Sequence, residues 1–130
     1  MRVQLDADVL IGVLDADDPH HPEARKLFTG WHRQEATVLI SAVNLTEVLV
    51  APAAERTRLA AAREAIAALG VSVQQPGEAI AVEAARFRRR HPISLPDSYC
   101  VATAKQAGAR VASFDERLRR AADAEGVALI

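Results

Sequence analysis

The sequence has one cysteine, Cys100, and its charges nearly balance, with a net charge of −1 over 130 residues. A single cysteine cannot form an intramolecular disulfide, and it lacks the partners of a structural zinc site. The absence of disulfides favours a reducing, cytoplasmic compartment. Because neither sign of charge dominates, binding to a nucleic acid would need a local basic patch rather than the field of the whole protein.

Long apolar runs are also absent from the sequence. The stretch "VLIGVL" is far shorter than the roughly eighteen residues of a membrane span, and the chain does not open with the basic start and apolar core of an export signal. We therefore expect neither export nor a membrane partner. Hydrophobic residues make up 50% of the chain and charged residues 25%, which is typical of a globular protein. A chain of this length suits one domain, spanning residues 1–130, with one core.

Short β-branched runs alternate with longer stretches of helical spacing. We predict strands at "RVQL", "TVLIS", "VSVQ", "RVASF" and "VALI", and helices at residues 8–15, 21–34, 42–51, 54–69, 77–91, 97–107 and 115–125. Gly70, Gly108 and Gly126 each follow a helical run, where a left-handed residue commonly ends a helix. The alternation predicts an α/β sandwich in which helices cover both faces of one five-stranded parallel sheet.

Acidic residues fall where the predicted strands end. In such a sheet, ligands bind outside the carboxyl ends of the strands, at the point where the strand order reverses. Asp6 closes the first strand, Asp115 closes the fourth, and Asp97 opens the sixth helix. Each of these aspartates also suits a helix cap or first turn. Glu47 is different, because "SAVNLTEVLVA" is apolar nearly all round; we expect Glu47 to be buried and to need a partner or a cation.

Several carboxylates in one dry cleft repel one another strongly unless a cation lies among them or some are protonated. A divalent ion would remove this conflict. Oxygen ligands without a supporting histidine or cysteine favour Mg²⁺ or Mn²⁺ over Zn²⁺. The sequence therefore predicts a Mg²⁺ or Mn²⁺ site among these acids.

Three stretches resemble, in order, the motif regions of PIN-domain ribonucleases, particularly the VapC-type toxins of toxin–antitoxin pairs. They are "QLDADVLIG", "SAVNLTEVL" and "LPDSYCVATAKQAGARVASFDERL", and the resemblance extends over essentially the whole chain. It implies a three-layer α/β/α sandwich with a five-stranded parallel sheet in the order 3-2-1-4-5. By position, the family's four catalytic, metal-binding acids are Asp6, Glu47, Asp97 and Asp115.

Three further residues are candidates for supporting roles. Asp8 stands where the family often has Asn or Ser, and Ser113 matches a hydroxyl residue two positions before the last acid, a spacing that keeps both on one face of a strand. Asn44 precedes Glu47 by one helical turn, where it either orients Glu47 or lies on the helix surface. Phe114 replaces a frequent Asn of the family.

The resemblance implies Mg²⁺- or Mn²⁺-dependent cleavage of RNA by a metal-activated water, leaving 5′-phosphate ends. It also implies a homodimer and a cognate antitoxin protein that holds the toxin inactive. We place the antitoxin groove at apolar residues of the second, third and fourth helices: Leu27, Phe28, Trp31, Val48, Leu49 and Leu59. The aromatic pair among them, Phe28 and Trp31, suits packing in the core or an exposed partner-binding patch better than stacking on RNA bases.

The densest basic run is "RFRRRH", which ends shortly before Asp97. Its arginines, Arg86, Arg88, Arg89 and Arg90, form either a phosphate-binding rim beside the cleavage site or a solvated helix end. The adjacent histidines of "DDPHHPE" indicate a turn before a helix rather than a metal site.

Other classes of protein stay open. A phospho-acceptor receiver domain also places acids at strand ends, but it needs a lysine at a late strand end, and Lys26 and Lys105 both lie within predicted helices. The main alternative is a catalytically silent PIN-like domain that binds RNA or Mg²⁺ as a regulator. A phosphatase of another acid-lined fold is the remaining enzyme alternative.

Overall fold

The computed structural model describes all 130 residues. Its strands and helices follow one another as β1 (Arg2–Leu5), α1 (Ala7–Leu14), α2 (His21–Arg33), β2 (Thr37–Ser41), α3 (Ala42–Leu49), a short 3-10 helix (Pro52–Ala54), α4 (Arg56–Ala68), β3 (Val71–Gln74), α5 (Glu78–Arg90), α6 (Leu95–Ala107), β4 (Arg110–Ala112) and α7 (Glu116–Ala124). Each predicted helix is present with its ends within two residues of the prediction. The 3-10 helix was not predicted. Each helix is too short or too polar to span a bilayer.

The sheet is parallel throughout, with the strand order β3-β2-β1-β4. In this register Leu5 lies opposite Ile40 on one side and Ala112 on the other. The strand order reverses between β1 and β4, so their carboxyl ends border the crevice where ligands bind in such folds.

The predicted fifth strand is reduced to a single bridge. Residues 127–130 lie beside β4, where the Val111 N–H donates to Ala128 O at 2.9 Å and the Ile130 N–H donates to Val111 O at 2.9 Å. Successive residues of a strand direct their hydrogen bonds to alternate sides. Because β4 has three residues, only the middle one, Val111, directs its backbone N–H and C=O away from β1 and toward the outer edge of the sheet. The predicted order 3-2-1-4-5 is therefore observed for four strands, with segment 127–130 in place of the fifth.

Helices cover both faces of the sheet, which explains why β2 and β4 carry buried apolar residues on both sides. On one face, Val3, Leu5, Val38 and Ile40 pack against α1, α2, α3 and α4. On the other, α5, α6 and α7 form a second cluster around Phe87, Val101, Val111 and Leu118. The predicted three-layer α/β/α sandwich is confirmed in this arrangement.

Phe28 and Trp31 belong to the first of these clusters. Their side chains are 8% and 4% exposed, and their rings meet edge to face with centroids 5.1 Å apart. The interpretation in which they pack in the core is confirmed. Their remaining accessible surface lines a small pocket of about 310 Å³ that contains neither Val48 nor Leu59, so the predicted groove across these helices is not formed. The reason is that both lie on the single buried face of α2, together with Ala24. A Trp31→Ala substitution would therefore remove core volume rather than test a binding surface.

Candidate active site

Asp6 is a buried acid that joins a strand to a helix. It follows β1, is 5% exposed, and caps α1 by accepting a hydrogen bond from the Ala7 N–H at 2.7 Å. Its second oxygen accepts from the Ser113 hydroxyl at 2.7 Å. Burial, followed by the negative charge of Asp8, raises the pKa of Asp6 to about 7. The capping role is therefore real, but it leaves Asp6 among other acids in a poorly solvated place.

Asp8 lies in the first turn of α1, close to Asp6. One carboxylate oxygen, Oδ2, accepts from the Phe114 N–H at 3.0 Å. The other, Oδ1, is buried and has no hydrogen-bond partner. Burial raises the pKa of Asp8. A buried carboxylate oxygen without a partner is costly, and it indicates that a cation or water completes its environment.

Helix caps hold Asp97 and Asp115. Asp97 forms a reciprocal capping box with Ser94, with both hydrogen bonds at 3.2 Å, and burial raises its pKa. Asp115 caps α7 by accepting from the Arg117 N–H at 2.9 Å. In each case the cap uses one carboxylate oxygen and leaves the other without a protein partner. The caps thus fix both side chains and still leave an oxygen available to a ligand.

Ser113 connects two of these acids. Its hydroxyl donates to Asp6 and accepts from the Asp115 N–H at 3.0 Å. Arg119 fixes the same residue by donating to the Ser113 carbonyl at 3.2 Å. Ser113 lies just beyond β4 rather than within the predicted strand. It nevertheless joins the end of β1 to the start of α7.

Glu47 is exposed, so the prediction that it is buried is wrong. Only Asn44 and Val48 are buried on the short helix α3, because the helix contacts the rest of the protein along one stripe. The apolar residues around Glu47 therefore line a surface rather than enclose it. Asn44 donates to Glu47 Oε1 at 3.3 Å.

Asn44 is fully buried and links α3 to α6. In addition to contacting Glu47, its amide nitrogen donates to the Pro96 carbonyl at 3.0 Å, directly before Asp97. Its oxygen, Oδ1, is buried without a partner. Between the two interpretations of Asn44, the structure supports the orienting one, because a fully buried side chain has no surface role.

The aspartates influence one another electrostatically across the crevice. The charges of Asp8 and Asp97 both raise the pKa of Asp6, and the charge of Asp115 raises those of Asp8 and Asp97. However, no three acidic side chains converge closely enough to enclose one metal ion. The site is an open group of acids rather than a closed cage.

The basic run of α5 is divided between ion pairs and free side chains. Arg86 lies 3.4 Å from Glu83, and Arg90 forms two hydrogen bonds to Glu125, at 2.9 and 3.0 Å. Arg88 and Arg89 are exposed and have no acidic partner. Of the four arginines predicted to bind phosphate, only these last two are free to do so.

An aromatic contact beside the acids escaped the sequence reasoning. The rings of His20 and Phe114 stack nearly parallel, with centroids 4.3 Å apart and an angle of 8° between their planes. The two residues are far apart in sequence, so no local pattern could pair them. The only signal was Phe114 itself, in a position where the resemblance leads one to expect Asn.

A surface groove of about 580 Å³ runs between α1, α3 and α4. Its lining includes Ile11, Leu14, Glu47, Val48 and Ala62. Of the residues predicted to form the antitoxin groove, only Val48 lies here. The observed groove thus includes Glu47, and it differs from the predicted groove because α1 rather than α2 forms one of its walls.

Comparisons with known proteins agree with this architecture. The model of the PIN domain family matches residues 3–124. A solved structure of VapC20 from Mycobacterium tuberculosis, a toxin that cleaves the sarcin–ricin loop, is similar with a TM-score of 0.76 and 18% identity, covering 100% of this chain and 98% of that one. FitAcB from Neisseria gonorrhoeae gives a TM-score of 0.71 at 21% identity, with 100% and 96% covered.

VapBC2 from Rickettsia felis, bound to a DNA fragment from its promoter, gives a TM-score of 0.74 at 11% identity, with 100% of this chain and 98% of that chain covered. No curated protein matches the sequence. At these identities the solved structures establish a shared fold.

Proposed function

The chain belongs to the PIN-domain family, and we propose that it is a Mg²⁺- or Mn²⁺-dependent endoribonuclease, the toxin of a type II toxin–antitoxin pair. The observation that carries this proposal is the buried Asp6, held between β1 and α1 with a pKa raised to about 7 by burial and by Asp8. A perturbed acid in a crevice at the strand-order switch point is typical of a functional site.

The acids suit a divalent ion. The donors are all oxygens, Asp8 Oδ1 is buried without a partner, and Asp97 and Asp115 each keep one unused carboxylate oxygen. Because no three acids converge, an ion would be held directly by part of the group and through water by the rest. This is the usual state of Mg²⁺, which retains several waters. We assign Asp6, Glu47, Asp97 and Asp115 as its ligands, with Asp8, Asn44 and Ser113 in support.

When bound, the ion would activate a water for attack on the phosphodiester and offset charge on the phosphate oxygens. The protein's contribution is to fix the acids before the substrate arrives. Ser113 and the Ala7 N–H hold Asp6, and helix caps hold Asp97 and Asp115. Such preorganisation lowers the cost of reaching the charged transition state. Cleavage at the 3′-oxygen leaves a 5′-phosphate and a 3′-hydroxyl.

The proposed partners are an RNA substrate, a cognate antitoxin and a second copy of the chain, in the cytoplasm. For RNA, the free guanidinium groups of Arg88 and Arg89 suit phosphate contacts. For the antitoxin, the groove between α1, α3 and α4 offers an apolar surface that ends at Glu47. A basic side chain of the antitoxin would be complementary to the acids beside it.

A second candidate is a catalytically silent PIN-like domain that binds RNA or Mg²⁺. Two observations favour it: the acids do not converge on one point, and Glu47 is exposed.

A cleavage assay on total cellular RNA, with Mg²⁺ or Mn²⁺ and with EDTA, decides between the two candidates. We expect divalent-dependent fragments with 5′-phosphate ends. Asp6→Asn, Glu47→Gln, Asp97→Asn and Asp115→Asn should each lower the rate by at least about 100-fold, beyond the effect typical of residues outside the first coordination shell. Asparagine caps helices as well as aspartate does, so Asp6→Asn and Asp115→Asn should keep the circular dichroism spectrum of the original protein. Asp97→Asn should do the same, because asparagine keeps a side-chain oxygen that can accept from the Ser94 N–H.

Asp123→Asn, at an exposed acid of α7, is the matched control and should cleave normally. RNA or Mg²⁺ binding without any cleavage would establish the silent domain instead. Loss of folding in the Asp→Asn variants would return these residues to a capping role alone.

A further inference from the structure

The stacked pair of His20 and Phe114 borders the acidic crevice. Phe114 follows Ser113, which binds Asp6, and the Phe114 N–H donates to Asp8 at 3.0 Å. His20 stands at the start of α2 with 53% of its side chain exposed. Phe114 thus anchors the stack beside the acids, and His20 is the more exposed of the two residues.

A separate pocket of about 340 Å³ opens at this stack. Its wall contains both rings, Ser113 and the apolar side chain of Leu27, while Glu23, Glu116 and Arg119 supply its polar groups. The volume is near the lower end of small-molecule sites. It is large enough for one planar heterocycle but not for a structured segment of RNA.

The charges of the pocket disfavour a phosphate. Two of its residues are glutamates, and the guanidinium of Arg119 is directed at the backbone carbonyls of Ser113 and Ile130, at 3.2 and 3.3 Å. An uncharged planar group suits the pocket better, because it stacks on the rings without repulsion from the carboxylates. Amino groups on its edge would donate hydrogen bonds to those carboxylates.

We propose that this pocket binds one nucleobase of the RNA, next to the phosphate being cleaved, stacked on the open face of His20. The inference rests on the proposed ribonuclease function and adds a base-specificity site to it. Because the carboxylates only accept hydrogen bonds, the pocket favours bases whose exocyclic amino group supplies two N–H donors over uracil, whose edge has one N–H between two carbonyl acceptors. Phe114 holds the His20 ring by stacking on it. The Phe114 N–H donates to Asp8, which fixes the stack, and with it a bound base, next to the acids.

The test uses short single-stranded RNAs containing 2-aminopurine, a base with an exocyclic amino group whose fluorescence falls when it stacks on an aromatic ring. Binding is measured at low salt in EDTA, and cleavage of unlabelled RNAs is measured with Mn²⁺. His20→Ala should remove the quenching and weaken binding roughly tenfold, within the range seen for one base–aromatic stack. His20→Phe should restore both. His32→Ala, at an exposed histidine of α2 outside this pocket, should behave like the original protein.

In the cleavage assay, His20→Ala should raise KM more than it lowers kcat, and the preference for amino-bearing bases over uracil should fall. Quenching that survives in His20→Ala, or an unchanged base preference, would overturn the proposed base-binding pocket and leave the nuclease proposal in place. Quenching that depends on His20, in a protein that cuts no RNA, would support the base-binding pocket and overturn the proposed nuclease activity. The melting temperature of each variant, measured in parallel, separates these effects from unfolding.

Discussion

At the scale of single residues, Asp6 combines functions that usually conflict. It caps α1, it is almost fully buried, and other acids surround it. Hydrogen bonds from Ser113 and Ala7 favour its charged form, but burial and Asp8 outweigh them, since its pKa rises to about 7. Without a cation, and between about pH 4 and pH 7, the folded protein therefore holds a proton that the unfolded chain would release.

This raised pKa predicts an unusual pH dependence of stability. The pKa of Asp6 lies above its ordinary value of 3.8, so the folded state binds the proton more tightly than the unfolded state. The metal-free protein is therefore most stable below about pH 4 with respect to this group, and it loses on the order of a few kcal/mol as pH rises to about 7. In EDTA, we expect Asp6→Asn to raise the melting temperature at pH 8 and to change it little at pH 4.

Mg²⁺ should reverse the order of the two proteins at pH 8, because it stabilises the original sequence by binding the folded state and the variant much less. Thermal melts of both proteins, with and without roughly 10 mM Mg²⁺, measure this difference, because that concentration should exceed the dissociation constant of a weak site. Equal Mg²⁺ shifts for both proteins would argue against an ion bound at Asp6.

At the scale of elements, the site depends on how helices are joined to one another. Asn44 connects α3 to the first turn of α6, and Ser113 connects the end of β4 to that of β1. Arg90 and His91 at the end of α5 both contact Glu125 at the end of α7. Each link joins two segments that are far apart in the chain. Together these links fix the positions of the acidic residues at the ends of β1 and α3 and of the basic residues at the end of α5.

Replacing Asn44 should disturb both stability and the site. Asn44→Ala leaves the Pro96 carbonyl without its donor, a loss of about 1–3 kcal/mol in a buried place, and frees Glu47 to move. We expect a lower melting temperature and slower cleavage. Thr46→Ala on the exposed side of α3, where the hydroxyl bonds only to its own helix, should change neither by much. Full cleavage activity in Asn44→Ala would show that Glu47 needs no orientation.

The arginines of α5 should separate into two kinds. Arg88→Ala and Arg89→Ala, made together, should weaken RNA binding and lower the slope of log K against log salt by about 0.7 for each lost phosphate contact. Arg90→Ala should instead lower the melting temperature, since it breaks the link to Glu125. Binding isotherms at four salt concentrations and thermal melts distinguish the two. A large decrease in the salt dependence of RNA binding in Arg90→Ala alone would instead indicate that bound RNA passes over α7.

At the scale of the whole molecule, Asn44 links the apolar groove to the acidic crevice, since it contacts Glu47 in the groove and the Pro96 carbonyl before Asp97. The groove passes between α1, α3 and α4, and Glu47 lies on its lining. A segment bound there would approach the acids without crossing the His20–Phe114 pocket. Under the proposed function, an inhibitor and a substrate base would thus use two different surfaces beside one site.

Two neighbouring residues of α4 test the groove. Ala61 lines it and Ala60 does not, although both are exposed. Ala61→Lys should weaken binding of an antitoxin peptide at least tenfold, because lysine adds bulk and charge to an apolar surface while keeping good helix propensity. Ala60→Lys should bind normally, and both variants should cleave RNA. Equal affinities, measured by calorimetry, would place the antitoxin elsewhere.

The sequence by itself determined the alternation of strands and helices, the parallel sheet, and the positions of Asp6, Asp97 and Asp115 at the ends of elements. These follow from periodicity and from local chemistry, which a short stretch of sequence carries. The tertiary structure alone decided that Trp31 is buried, that Glu47 is exposed, that segment 127–130 pairs only through Val111, and that His20 stacks on Phe114. Each of these depends on which face of an element meets a distant neighbour, and packing between remote segments sets that face.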